Sequence, residues 1–218
     1  MDPRVLTTAE TLLLLSLDEE RGALRGGAFL SYGAAAALLV DLILAGRIAV
    51  SATAVELIDA RPTGRALEDE LLARVHSGKV RPPDQWIAEW GRGQLAPRLL
   101  TRLCDASVLQ RHEQRVLGLW TERRYRVLPP RLRVTVRAEL RGAVSPAHAV
   151  DGPMASLVAI IAVVGPHEVL AAKGERREAT TRAKAFVQHD VVATALRRAI
   201  ASMAAVEDAS AAAIVATF

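Results

Sequence analysis

Two leucine-rich segments near the start of the chain constrain its fold more than any other feature. They span residues 6–17 and 38–48, and the second ends in Gly-Arg-Ile. Thr7 and Glu10 have the spacing of a capping box, in which each side chain accepts a hydrogen bond from the other residue's backbone N–H. Gly46 is placed to end the second helix. The sequence therefore predicts a pair of helices followed by a short β-hairpin.

The composition favours helices in the rest of the chain as well. Hydrophobic residues make up 51% of the sequence, yet only 4% is aromatic, because Ala and Leu dominate. Both lose little free energy on entering a helix. At 218 residues the chain is long enough to bury a sizeable core, and it contains no internal repeat and no low-complexity linker. We expect one mainly α-helical globular domain over residues 1–218, with one or two small β-hairpins.

Cysteine usage and apolar segments bear on the compartment. Cys104 is the only cysteine, so no intramolecular disulfide forms, and a reducing compartment is expected. The first residues lack the basic-then-apolar order of a signal peptide. The apolar runs at 34–46 and 154–165 are shorter than the roughly 20 residues that span a bilayer. These features predict a cytoplasmic protein that is either soluble or peripherally associated with a membrane.

The reactive residues do not form any familiar catalytic or metal-binding motif. The five histidines lack metal-ligand spacing: His76, His112, His148, His167 and His189. The sequence has no His-Glu-x-x-His, no Cys-x-x-Cys, no Gly-x-Ser-x-Gly and no Walker-type lysine. We therefore expect no catalysis, no metal and no cofactor.

A run of arginines is the most informative chemical feature. Eight arginines stand in residues 115–141 against only two glutamates, and they are Arg115, Arg123, Arg124, Arg126, Arg131, Arg133, Arg137 and Arg141. Guanidinium groups bind phosphate oxygens in a bidentate fashion. Leu117, Leu119 and Trp120 lie beside this run, and apolar residues next to cations are typical of interfacial membrane binding. Two alternatives stay open: a solvated basic face without a partner, and packing of the apolar residues in the core.

The same part of the chain predicts a second β-hairpin. Residues 116–120 and 125–128 have strand character and flank Thr121–Arg124, which we interpret as the turn. The hairpin is expected to end at Pro129.

Several motifs follow one another in a characteristic order. They are Leu6-Thr-x-x-Glu10 with Leu13-Leu-Leu15, Asp18-x-x-x-Gly22, Leu39-Val-Asp-Leu-x-Leu-x-Gly-Arg-Ile48, Pro62-Thr-Gly64, Leu67-x-Asp-Glu-Leu71, and Arg98-Leu-x-x-x-Leu103 with Val108-Leu109. This order resembles the Golgi phosphoprotein 3 family (GPP34 domain), including its bacterial members. The resemblance covers most of the chain.

The resemblance implies helices around a hydrophobic core and a protruding β-hairpin with an apolar tip that enters the membrane. Eukaryotic members bind phosphatidylinositol 4-phosphate and connect membranes to protein partners. The family's hairpin also mediates self-association, so the resemblance implies a homo-oligomer and a protein partner of unknown identity. The residues at the family's apolar hairpin positions are Val116, Leu117, Leu119 and Trp120.

The family's headgroup pocket uses a Trp and an Arg between the first two helices and an Arg pair ahead of a later helix. The corresponding positions here carry only small residues: Gly26, Ala35, Gly93 and Ala96. We therefore predict that other arginines contact the headgroup, either near these positions or in the basic run. They are Arg25, Arg92, Arg98, Arg123 and Arg124.

The leading hypothesis is thus a peripheral membrane adaptor that binds anionic, phosphoinositide-like phospholipids without catalysis. The alternative is a winged-helix DNA-binding regulator, formed by the first two helices and the first hairpin. Its presumed recognition helix, residues 32–45, is almost entirely Ala, Leu, Val and Ile, and it offers no Arg, Asn or Gln to base edges. Nucleic acid is therefore an unlikely partner.

Overall fold

The first two helices form as the sequence predicts. The computed structural model describes residues 6–93, 95–116, 120–145, 152–165 and 167–215. Helix α1 (Thr8–Ser16) begins at the expected capping box, with the Thr7 hydroxyl accepting from the Glu10 N–H at 3.1 Å and the Glu10 carboxylate accepting from the Thr7 N–H at 3.0 Å. Helix α2 (Phe29–Leu44) ends just before Gly46, whose φ of +66° suits glycine.

Seven more helices and two antiparallel strand pairs complete the described part of the chain. Strands β1 (Ile48–Val50) and β2 (Val55–Leu57) pair directly after α2. The remaining elements follow in the order α3 (Ala66–Ser77), α4 (Pro83–Gly91), α5 (Leu95–Asp105), β3 (Leu109–Val116), β4 (Trp120–Val127), α6 (Pro130–Ala143), α7 (Gly152–Val164), a short 3₁₀ helix (His167–Val169), α8 (Arg176–His189) and α9 (Val191–Val215). The mainly α-helical fold class is confirmed.

The core is built around α2. This helix packs against α1, α4, α7 and α9, and its residues from Tyr32 to Leu42 are all buried. Gly33 allows the close approach to α7, because a Cβ at this position would lie 3.1 Å from a methyl group of Val164. The DNA-binding alternative uses α2 as its recognition helix. Since α2 is enclosed by other helices along most of its length, it is not available to enter a DNA groove.

The second hairpin exists, but its predicted turn is wrong. Thr121–Arg124 lie within β4, and the register joins Leu109 to Val127 and Val116 to Trp120. The two strands therefore end on either side of residues 117–119, and these three lie outside the described residues. The prediction missed β3 because residues 110–113 are polar or charged and all exposed, so the strand has no alternation of apolar and polar residues. The hairpin arm at these residues is open to solvent on both faces.

A buried charged cluster joins α1, α2, α3 and α5. Arg102 on α5 pairs with Glu10 at 3.1 Å and with Glu68 at 2.6 Å. The Asp41 carboxylate on α2 accepts from the backbone N–H groups of Thr8 and Ala9, at 2.7 and 3.1 Å, and so satisfies two free donors of the first turn of α1. Burial raises the pKa of Asp41. These contacts fix the start of α1 to the rest of the helical core.

Candidate functional site

Helix α6 presents three arginines on one face. Its first turn begins at Pro130, a favourable residue for that position because the missing N–H would have no partner in the helix. Arg133, Arg137 and Arg141 follow at four-residue intervals, which places them in a row along the helix. A neighbouring face carries the buried Val136 and Leu140 and holds α6 against the core.

This row of arginines forms one wall of an open groove of about 850 Å³. The second wall is β4, where Arg124 and Arg126 are two residues apart and so lie on the same face of the strand. The third wall is the loop Asp18–Gly22, which connects α1 to α2. Apolar contact surface comes from Val127, Pro130 and Val134. We call this feature the arginine groove; its cationic lining residues are Arg21, Arg124, Arg126, Arg133, Arg137 and Arg141.

The inner end of the arginine groove holds the guanidinium groups of Arg133 and Arg137 beside the carboxylates of Asp18 and Glu19. Arg133 and Arg137 are half-buried. The pKa of Arg133 is lowered mainly by burial and secondly by the positive charge of Arg137. Arg133 donates to the Leu17 carbonyl and Arg137 contacts the Glu19 carboxylate. The Nε atoms of both arginines are buried without a hydrogen-bond partner in the described part of the chain. This end of the groove is suited to an anion.

The loop Asp18–Gly22 is rigidly held. The Asp18 carboxylate accepts from the backbone N–H of Arg21 at 2.7 Å and of Glu20 at 2.9 Å, and it also pairs with Arg25. Hydrogen bonds from the Arg21 N–H and, to a smaller extent, from the Arg25 side chain lower the pKa of Asp18 to about 2. At the other end of the loop, the Gly22 carbonyl accepts from the Tyr125 N–H at 2.8 Å. The loop is therefore anchored to β4.

We expect Gly22→Ala to loosen this anchor. Gly22 has a φ of +62°, and an added Cβ would lie 2.6 Å from the Tyr125 carbonyl oxygen. The left-handed conformation costs an L-residue about 1–2 kcal/mol, and the backbone clash adds to this cost. Chemical denaturation should show a loss of about 2–3 kcal/mol in the free energy of unfolding. The matched control is Gly27→Ala, which has a φ of +53° but open space around it, and an equal loss in both variants would contradict the clash.

The predicted headgroup arginines do not all lie together. Arg124 lines the arginine groove, and Arg25 lies at its inner end, where it pairs with Asp18 and Glu168. Arg123 points to the other face of β4 and pairs with Glu113 at 3.3 Å. Arg98 pairs with Glu70 at 2.5 Å on another part of the surface, and Arg92 follows α4, also outside the groove.

Two of the four predicted membrane-inserting residues lie within the described part of the hairpin. Leu117 and Leu119 fall outside the described residues. The backbones of Val116 and Trp120 form the last pair of the strand register, so both stand where the paired strands end. Their insertion into a membrane stays a prediction.

The four positions of the family's headgroup pocket offer no charged contact here. Ala35 in α2 and Ala96 in α5 are buried, and neither side chain carries a hydrogen-bond donor. Among the residues that sequence reasoning did not select for the headgroup, Arg133, Arg137 and Arg141 form the most complete cationic row. Their four-residue spacing was the signal that could have identified them, because residues four apart share one face of a helix.

Metal-binding clusters and membrane-spanning helices are not found among the described residues. Within these ranges, no three His, Cys, Asp or Glu side chains come together in a way that could hold a metal ion. No helix there is both long enough and apolar enough to cross a bilayer. Burial raises the pKa of the Cys104 thiol, which disfavours the reactive thiolate.

The comparisons with known proteins agree with the order of motifs in the sequence. No curated protein matches the chain. The sequence model of the family described as Golgi phosphoprotein 3 (GPP34) matches residues 8–203, which include all of the helices from α1 to α8 and about half of α9. The chain therefore belongs to the Golgi phosphoprotein 3 family.

Proposed function

We propose that this protein is a peripheral membrane adaptor without catalytic activity, and that it binds anionic, phosphoinositide-like phospholipids through the arginine groove. The observation that carries the proposal is the convergence of α6, β4 and the loop Asp18–Gly22 on one cationic groove. Membership of the Golgi phosphoprotein 3 family supports a lipid-binding adaptor of this general type.

The charge in the arginine groove would supply part of the affinity for an anionic membrane, and apolar insertion would supply the rest. A basic residue close to an anionic membrane surface contributes about 1 kcal/mol. Arg126 and Arg141 are exposed and line the groove, and neither forms an ion pair within the part of the chain that the structure describes. Together they would supply about 2 kcal/mol before any contribution from apolar insertion.

The hairpin would add this apolar contribution. Val116, Leu117, Leu119 and Trp120 cluster at its end in the sequence, whereas the arm between residues 110 and 113 is polar and exposed. An exposed polar arm with an apolar end is suited to reach a bilayer without burying charged groups in it. The same proposal includes self-association of the protein through the hairpin. It also includes binding of a protein partner whose identity is unknown.

A panel of liposomes tests the proposal. Neutral phosphatidylcholine vesicles are compared with vesicles that also contain phosphatidylglycerol, phosphatidic acid or phosphatidylinositol 4-phosphate, and the pelleted fraction of protein is measured. Pelleting with all anionic vesicles indicates general charge attraction. Pelleting with only one headgroup indicates selective recognition. The absence of pelleting with every composition contradicts the proposed function.

The hairpin has its own prediction. Trp120→Ala combined with Arg123→Glu and Arg124→Glu should abolish pelleting with anionic vesicles, because the variant loses an apolar contact and reverses two charges beside it. A circular dichroism spectrum identical to that of the wild type checks the fold. Unchanged pelleting would exclude the hairpin from membrane binding.

A further inference from the structure

The inner end of the arginine groove already contains a carboxylate, that of Glu19. One oxygen of Glu19 contacts Nη1 of Arg137 and lies 3.8 Å from Nε of Arg133. The same oxygen thus stands between two guanidinium groups. The Glu19 side chain remains 56% exposed, whereas the side chains of Arg133 and Arg137 are 12% and 21% exposed. An exposed anion therefore reaches inward to two enclosed cations.

This single carboxylate is a poor partner for the two arginines. At 3.8 Å the contact with Arg133 is too long for a hydrogen bond, and Nε of each arginine has no hydrogen-bond partner among the described residues. Two neighbouring guanidinium groups repel each other, and this repulsion from Arg137 adds to the effect of burial in lowering the pKa of Arg133. A phosphate group has more acceptor oxygens than one carboxylate and can satisfy both donors at once.

The surroundings allow Glu19 to leave without disturbing the fold. Asp18 and Gly22 hold the loop at its two ends through backbone contacts in which the Glu19 side chain takes no part. Arg133 is also held independently, because it donates to the Leu17 carbonyl. Rotation of the Glu19 side chain into solvent is therefore enough to open the space between Arg133 and Arg137.

We propose that Glu19 is an internal counter-anion, which occupies the position of a phosphate group in the ligand-free protein and is displaced when a phosphate binds to Arg133 and Arg137. This inference rests on the proposed function for the identity of the phosphate as part of a lipid headgroup. Glu19 then limits the affinity of the groove, because every binding event must first break its contact with Arg137.

The test compares Glu19→Gln with the wild type in two assays. The first is binding to vesicles of phosphatidylcholine and phosphatidic acid in equal parts. The second is the thermal midpoint in inorganic phosphate, with sodium chloride of the same ionic strength as the reference. Glu139→Gln is the matched control, because it removes the same charge from an exposed residue of α6 that lies outside the groove.

We expect Glu19→Gln to bind the vesicles about three- to tenfold more tightly, since a competing carboxylate is removed. In chloride its thermal midpoint should fall below that of the wild type, because two enclosed arginines lose their partner. Inorganic phosphate should restore more stability to Glu19→Gln than to the wild type. The Glu139→Gln variant should show a smaller change in both assays.

Three results separate the inference from the proposed function. Equal or weaker vesicle binding by Glu19→Gln, with equal stabilisation of both proteins by phosphate, overturns the inference and leaves the adaptor proposal standing. A response to inorganic phosphate without vesicle binding supports the counter-anion and contradicts the membrane function. Equal gains in Glu19→Gln and Glu139→Gln overturn the inference, because a general change of net charge then explains both.

Discussion

Reversing the charges of Arg126 and Arg141 should release the protein from anionic vesicles. Both side chains are exposed on opposite walls of the arginine groove, Arg126 on β4 and Arg141 on α6. Each reversal removes an attraction of about 1 kcal/mol and adds a repulsion of similar size. The combined variant Arg126→Glu with Arg141→Glu should therefore bind about a hundredfold or more weakly than the wild type. Vesicle flotation at low salt measures this loss directly.

The control for this experiment changes the same number of charges elsewhere. Arg65→Glu with Lys79→Glu alters two exposed residues near the two ends of α3, and neither lines the arginine groove. This variant should retain most of its binding, and any loss should vanish at higher ionic strength, where salt screens charges that lie far from the membrane surface. Equal losses in the two variants would show that net charge alone, rather than the groove, holds the protein on vesicles.

The first part of the fold could be predicted in detail because its signals are local. The capping box of α1 and the glycine after α2 depend on residues within one or two turns of the helix ends. Proline at the first position of α4 and α6 is a signal of the same kind. Such interactions are specified by neighbours in sequence, so a single sequence contains the information for them.

The second hairpin, formed by β3 and β4, could not be predicted in the same detail. Its strands are exposed on both faces along residues 110–113, so burial imposes no alternation of apolar and polar residues on β3. The register is instead set by pairing between β3 and β4, from Leu109 with Val127 to Val116 with Trp120. A strand whose position depends on its partner strand leaves little trace in its own sequence, which explains the misplaced turn.

The candidate site could be predicted only in part from the sequence, for a related reason. The sequence identified the basic run from its composition, but the groove depends on how α6, β4 and the loop Asp18–Gly22 meet in three dimensions. Glu19 is more than a hundred residues away from Arg133 and Arg137 in the chain, and no spacing rule connects them. The same holds for Arg102, which meets Glu10 and Glu68 from a distant part of the sequence.

Replacing Arg102 with Met should destabilise the protein strongly, and by more than Gly22→Ala. The Arg102 side chain is 18% exposed, and the carboxylates of Glu10 and Glu68 are 1% and 2% exposed. Arg102→Met leaves two buried negative charges without their shared cation, close to Asp41. Removing one partner of a buried ion pair typically costs about 3–5 kcal/mol, a large part of the roughly 5–15 kcal/mol that stabilises a folded domain. Chemical denaturation monitored by circular dichroism measures the change.

Two further variants test this explanation. Arg98→Met removes an arginine one turn earlier on α5, where the pair with Glu70 is largely exposed, so we expect a loss of no more than about 1 kcal/mol. Arg102→Met combined with Glu10→Gln and Glu68→Gln should recover much of the lost stability. The two amides remove both buried charges, and the amide oxygen introduced by Glu10→Gln can still accept a hydrogen bond from the Thr7 N–H. If this combination is as unstable as Arg102→Met alone, lost packing rather than unpaired charge determines the effect of Arg102.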